Sequence, residues 1–151
     1  MTRISILAAL FALPASALLA DNLERLEAAS ELGGQQLSTF LLSRAPELEP
    51  NLPSWEWDDT YRQAGRCFLD NLETSQGADG VERYLSVIET YAARPITSLD
   101  QTAEQPPEMM APPVMAAMQT CGVQQEVMKR MTESGLMGAM MNPETMSKLG
   151  G

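Results

Sequence analysis

Between Met109 and Met146 the chain carries ten of its eleven methionines, the remaining one being the initiator. A thioether sulfur is a soft donor, and the metal it selects is Cu(I). Residues three and four apart on a helix are neighbours. The pairs Met115/Met118 and Met128/Met131 and the trio Met137/Met140/Met141 therefore sit at spacings that could bring three or four sulfurs around one ion. The same spacing has another use. Methionine is unbranched and flexible, so it fills irregular cores and supplies contact surfaces that repack around differing shapes. A very short helix such as the one within "SGLMGAMMNPETM" cannot hide Met137, Met140, Met141 and Leu136 all at once unless something covers its other side. The expected reading is a pliable contact surface spanning Glu108 to Met141, with Met128, Met131, Met137, Met140 and Met141 meeting a protein or peptide partner or a second copy of the chain. Met137, Met140 and Met141 are expected to be its most exposed members. The alternative is a Cu(I) site built from Met115, Met118, Met128, Met131, Met137 and Met140, with Cu(I) the one cofactor; the main reading needs none.

Other chemistry is scarce. The chain has no histidine, so it lacks the commonest general base and the commonest metal ligand. Its two cysteines, Cys67 and Cys121, are too far apart for a Cys-x-x-Cys redox pair and read as a structural disulfide. Closing a loop of about 55 residues would stabilise the fold by roughly 4 kcal/mol on the chain-entropy account. With both thiols oxidised, only carboxylates remain for catalysis, from Glu56, Asp58, Asp59, Asp70 and Glu73. These fall in a connection or on the polar side of a helix, where solvated acids are the expected state, so no catalytic residue is assigned and the protein is read as a non-catalytic interaction or accessory protein. No Asp-x-Asp-x-Asp-Gly loop is present for calcium, and zinc lacks ligands. Trp55 and Trp57 lie in an extended stretch that points them the same way. Stacking on a sugar or cation is possible there, but a lid over the core is the expected role.

The elements that must position these residues are helical, with no run of alternating residues to compete as a strand. Leu23, Leu26, Leu37, Phe40 and Leu41 recur at helical spacing, interrupted by Gly33-Gly34, which predicts two helices or one with a weak middle. "APELEPNLPSWEWDD" holds three prolines and reads as an extended connection. Asp58 is placed to cap the next helix, whose face is Tyr61, Ala64, Phe68 and Leu72 and which "SQGADG" ends. Asp79 and Glu82 have the layout of a capping box before Val81, Tyr84, Leu85, Ile88 and Tyr91, and Arg94-Pro95 stops that helix. Residues 95–113 carry five prolines and are expected to be an internal linker. Residues 114–149 form a Met-rich helical segment, with Pro113 in a first turn and Asn142-Pro143 opening a last short helix. The fold class expected is a small all-α bundle of about four to six short helices, with Pro-rich connections and the disulfide pinning the Cys67 helix to the Cys121 helix.

Residues 1–20 read as a signal peptide: Arg3, an apolar run from Ile4 to Leu13, then Pro14 and small residues. Cleavage is expected after Ala17 or after Ala20, leaving residues 21–151 as a single helical domain exported to the periplasm. The apolar run is too short to hold the chain stably in a bilayer. Removing Arg3 moves the net charge from −10 to −11, and so acidic a surface excludes nucleic acid and anionic lipid as partners.

Overall fold

The computed structural model describes residues 15–150, with side chains described from Ala20 onward. The part of the expected signal peptide that precedes Ala15 lies outside the described residues. Helix α1, Ala15–Arg44, runs through both expected cut points. It is followed by a tight 3-10 turn, Pro46–Asn51, and by α2, Asp59–Ala92. The remaining elements are α3 (Leu99–Ala103), α4 (Pro112–Thr120), α5 (Val123–Glu133), α6 (Leu136–Met140) and α7 (Pro143–Leu149). No strand occurs among the described residues. The fold is small and all-α, as the periodicity predicts. Among the described residues there are eight helical segments against the expected four to six, because the Pro-rich stretches themselves contain the 3-10 turn and α3.

Local chemistry sets most of the boundaries. Arg44 occupies the last turn of α1, complementing the negative end of the helix dipole, and Pro46 prevents continuation. The Asp58 carboxylate accepts from the Tyr61 N–H at 2.8 Å and caps α2. The Asn142 side chain caps α7 in the same way, with Pro143 behind it. Within α2, Gly77 has φ 71°, which kinks the helix where "SQGADG" predicted an end. The Asp79–Glu82 capping box does not take the expected form. Glu82 accepts instead from Arg25 on α1, at 2.6 and 3.2 Å, and from Ser86. A cross-helix guanidinium offers a charged donor, a stronger partner than a neutral backbone N–H.

Two apolar clusters form the interior. The larger joins Leu23 and Leu26 of α1 to both halves of α2 and to Val114 and Ala117 of α4. Phe68 meets Tyr84 edge to face across the Gly77 kink, with ring centres 5.0 Å apart. The smaller joins Phe40 and Leu41 at the other end of α1 to Leu48, Leu136 and Leu149. Helix α1 thus serves both clusters and does not break at Gly33-Gly34. Gly34 is a notch: a Cβ there would stand 2.8 Å from Cε3 of Trp55, with other ring atoms nearer still. The disulfide joins Cys67 in α2 to Cys121 at the end of α4, with Cα atoms 5.6 Å apart, and the second half of α2 packs into the same cluster as both helices.

The Pro-rich stretch 95–113 contains α3 and a turn that carries Met109 into the larger core. No described helix is long and apolar enough to cross a membrane. That observation and the disulfide are compatible with an exported protein.

Candidate functional site

The methionines divide between two hollows. The larger, about 510 Å³, is a groove walled by α1, α2, α4, α5 and the turn before α4. Its floor is aromatic and aliphatic: Leu26, Trp57, Tyr61, Phe68, Tyr84 and Ile88. Met109, Met110, Met115, Met118 and Met128 contribute its thioethers, and Val123 and Val127 complete the α5 side. The polar side chains lining it are neutral: Ser30, Gln105 and Gln124. Met109 is buried and belongs to the core, whereas Met110 and Met128 remain about half exposed at 51% and 49%. The second hollow, about 410 Å³, lies at the C-terminal end and is lined by Leu99, Met131, Met137, Met140, Met141, Met146, Leu149 and Gly150.

This division rearranges the sequence reading. Of the expected contact residues, Met128 lines the groove while Met131, Met137, Met140 and Met141 line the C-terminal hollow. The six methionines of the alternative Cu(I) set fall three and three: Met115, Met118 and Met128 on one side, Met131, Met137 and Met140 on the other. They do not surround one position. Met140 is half-buried against the smaller core, so the exposed methionines at this end are Met141, Met146 and Met137. Spacing gives no contact role to Met109, Met110 or Met146, and it marks Leu26, Tyr61, Phe68, Tyr84 and Ile88 as core faces of separate helices without joining them into one floor. Met109 and Met110 come from the stretch expected to be a linker and Met146 from the last short helix.

The connection between the two tryptophans holds one wall in place. Trp57 is buried, stacks on Tyr61 with ring centres 4.3 Å apart, and rests on Gly65, where a Cβ would lie 2.5 Å from its Cζ3. Trp55 donates from Nε1 to Ser38 Oγ at 2.8 Å. The pair therefore acts as the expected lid, with each ring seated on a glycine of a different helix. Arg130 of α5 fastens this lid. Its guanidinium donates to the backbone carbonyls of Glu56 at 2.6 Å and Ser54 at 3.3 Å, pairs with Asp58 at 2.9 Å, and lies over the Tyr61 ring at 4.8 Å. Burial pushes the Tyr61 hydroxyl above its ordinary range, and the Arg130 charge opposes that shift.

The carboxylates singled out for catalysis are spread over an open surface. Glu56, Asp58, Asp59, Asp70 and Glu73 are all exposed. Asp58 is held below the usual carboxylate range, first by the Tyr61 N–H it accepts and then by Arg130. Among the described residues, no group of three or more acids, cysteines or histidines is placed to hold a metal ion. No family model matches this chain, and neither a curated protein nor a solved structure is similar to it.

Proposed function

We propose that the protein is a non-catalytic, exported binding module that takes an apolar segment of a partner protein into the groove between α1, α2, α4 and α5. The observation that carries this reading is the groove itself: a hydrophobic floor of fixed aromatic rings, rimmed by flexible methionines, with no charged side chain lining it. Rigid aromatics supply contact area, and methionines let one groove accept side chains of differing shape. An amphipathic helix laid into such a groove buries residues spaced three and four apart. The chain's net charge of −10 favours a partner whose apolar face is flanked by lysine and arginine.

Support for a binding rather than a catalytic role comes from the residues available. The chain contains no histidine, both cysteines are joined, and the exposed carboxylates are not gathered around the groove. The disulfide supports an oxidising compartment, and export to the periplasm remains our reading of the N-terminal residues.

Tryptophan emission tests the proposal. With Trp55 changed to phenylalanine, Trp57 reports on the groove it lines. A model amphipathic helix of leucine and lysine should shift that emission saturably, and Val127→Glu should abolish the shift by placing a charge on the groove wall. Emission that ignores the peptide in the parent protein would contradict the reading.

A further inference from the structure

We propose that the hollow at the C-terminal end is a thioether site for one soft monovalent cation, Cu(I) or Ag(I), independent of the groove. Five methionines line it, Met131 from α5, Met137, Met140 and Met141 from α6 and the residue after it, and Met146 from α7. Its other lining residues are Leu99, Leu149 and Gly150, so no side-chain oxygen or nitrogen competes with sulfur inside it.

Exposure separates this cluster from ordinary core filling. Met131 and Met140 pack against the smaller core, which accounts for them as fillers. Met141, Met146 and Met137 do not: they are 73%, 58% and 36% exposed, at the mouth of one hollow. Three thioethers held on two short helices, with two more beneath them, form a donor set that a hard cation has no reason to enter and a soft one does. A hollow of about 410 Å³ is much larger than an ion, so the sulfurs must swing inward to close on it. Methionine's rotatable side chain permits that without moving the backbone. Binding requires no electron transfer, since the cation arrives and stays monovalent. The acidic surface raises the local concentration of any cation approaching it.

Ag(I), a soft monovalent cation that stays in one oxidation state, is the probe. Native mass spectrometry and calorimetry of the full mature chain should show one Ag(I) per molecule. The triple variant Met137→Leu, Met141→Leu, Met146→Leu should lose it, while Met110→Leu with Met128→Leu in the groove should keep it. Because the three changed positions are exposed, the variant is expected to melt as the parent does; single Met141→Leu and Met146→Leu variants, each with weakened binding, provide a second reading if it does not. A parent protein that takes up no Ag(I), or a triple variant that binds it undiminished, overturns the site. Neither result touches the groove, which the leucine substitutions leave apolar.

Discussion

The indole of Trp55 fills the space left by the missing side chain of Gly34, and a Cβ there would stand 2.8 Å from ring Cε3. This contact lies on α1 between the residues that serve the two cores. Helix α1 passes there from the larger core to the smaller one, and the connection runs alongside in the opposite sense, Trp55 bonding Ser38 and Trp57 bonding Glu31. The adjacent glycine has no such neighbour: a Cβ on Gly33 would meet only Ala92 Cβ, at 3.8 Å. Two consecutive glycines in one helix should therefore respond to alanine in opposite directions. Gly33→Ala should stabilise the protein by up to about 1 kcal/mol through helix propensity. Gly34→Ala gains the same propensity but overpacks against the ring, at a cost of about 1–3 kcal/mol, and should destabilise. Urea unfolding of the two variants measures the difference.

Arg130 and Asp58 form an ion pair whose halves are unequal. The arginine side chain is only 13% exposed and satisfies two backbone carbonyls besides, whereas the Asp58 side chain is 64% exposed. Arg130→Met should cost about 1.5–3 kcal/mol, because it removes the charged hydrogen bonds that fasten the Ser54 and Glu56 carbonyls to α5. Asp58→Asn keeps the cap on α2 and should cost clearly less. Equal losses in the two variants would place the energy in the ion pair rather than in the lid.

The disulfide makes a simpler prediction. Changing Cys67 and Cys121 together to serine should lower stability by roughly 4 kcal/mol, since the bridge spans a sequence separation of 54. Denaturant midpoints with and without the bridge test this, and a change below about 1 kcal/mol would mean that the unfolded chain is already compact there.

Acid should weaken the link between α1 and α2. The Glu82 carboxyl lies below its ordinary value of 4.5, held there first by the Arg25 hydrogen bond, then by the Ser86 hydroxyl, with the Arg25 charge adding to both. A carboxyl lowered in the folded state contributes stability in full above that ordinary value, and the contribution is lost as the pH falls through the folded value. Stability measured from pH 7 downward should begin to drop below about 4.5. In Arg25→Gln the drop should be shallower, because Glu82 then has no guanidinium to lose.

Much of this architecture is written in local chemistry. Asp58 and Asn142 announce their helices because a short polar side chain satisfies a free N–H within three residues of itself. Cys67 and Cys121 admit one pairing. What escaped the sequence is what depends on a partner distant along the chain. Gly33-Gly34 looks like a weakness in a helix, yet Gly34 is a seat for a ring about twenty residues away. Glu82 looks like half of a capping box until Arg25 comes within reach. Met128 and Met131 are close on one helix, yet three residues at 3.6 per turn leave them about 60° apart in azimuth. On α5 that angle is enough to send them into different hollows. The groove was least legible of all, since its floor comes from α1, α2 and the connection between them and its rim from Gln105 onward.

The ten methionines after the initiator are also ten reporters, which makes one measurement the most direct test of groove binding. The methyl groups of methionine are labelled with carbon-13 in the mature protein, and their resonances are followed as the leucine–lysine helix is added. Groove binding predicts that Met109, Met110, Met115, Met118 and Met128 shift together and saturate, while Met137, Met141 and Met146 hold still. If the second group moves and the first does not, or if no methyl responds at all, the groove is not where this protein meets its partner.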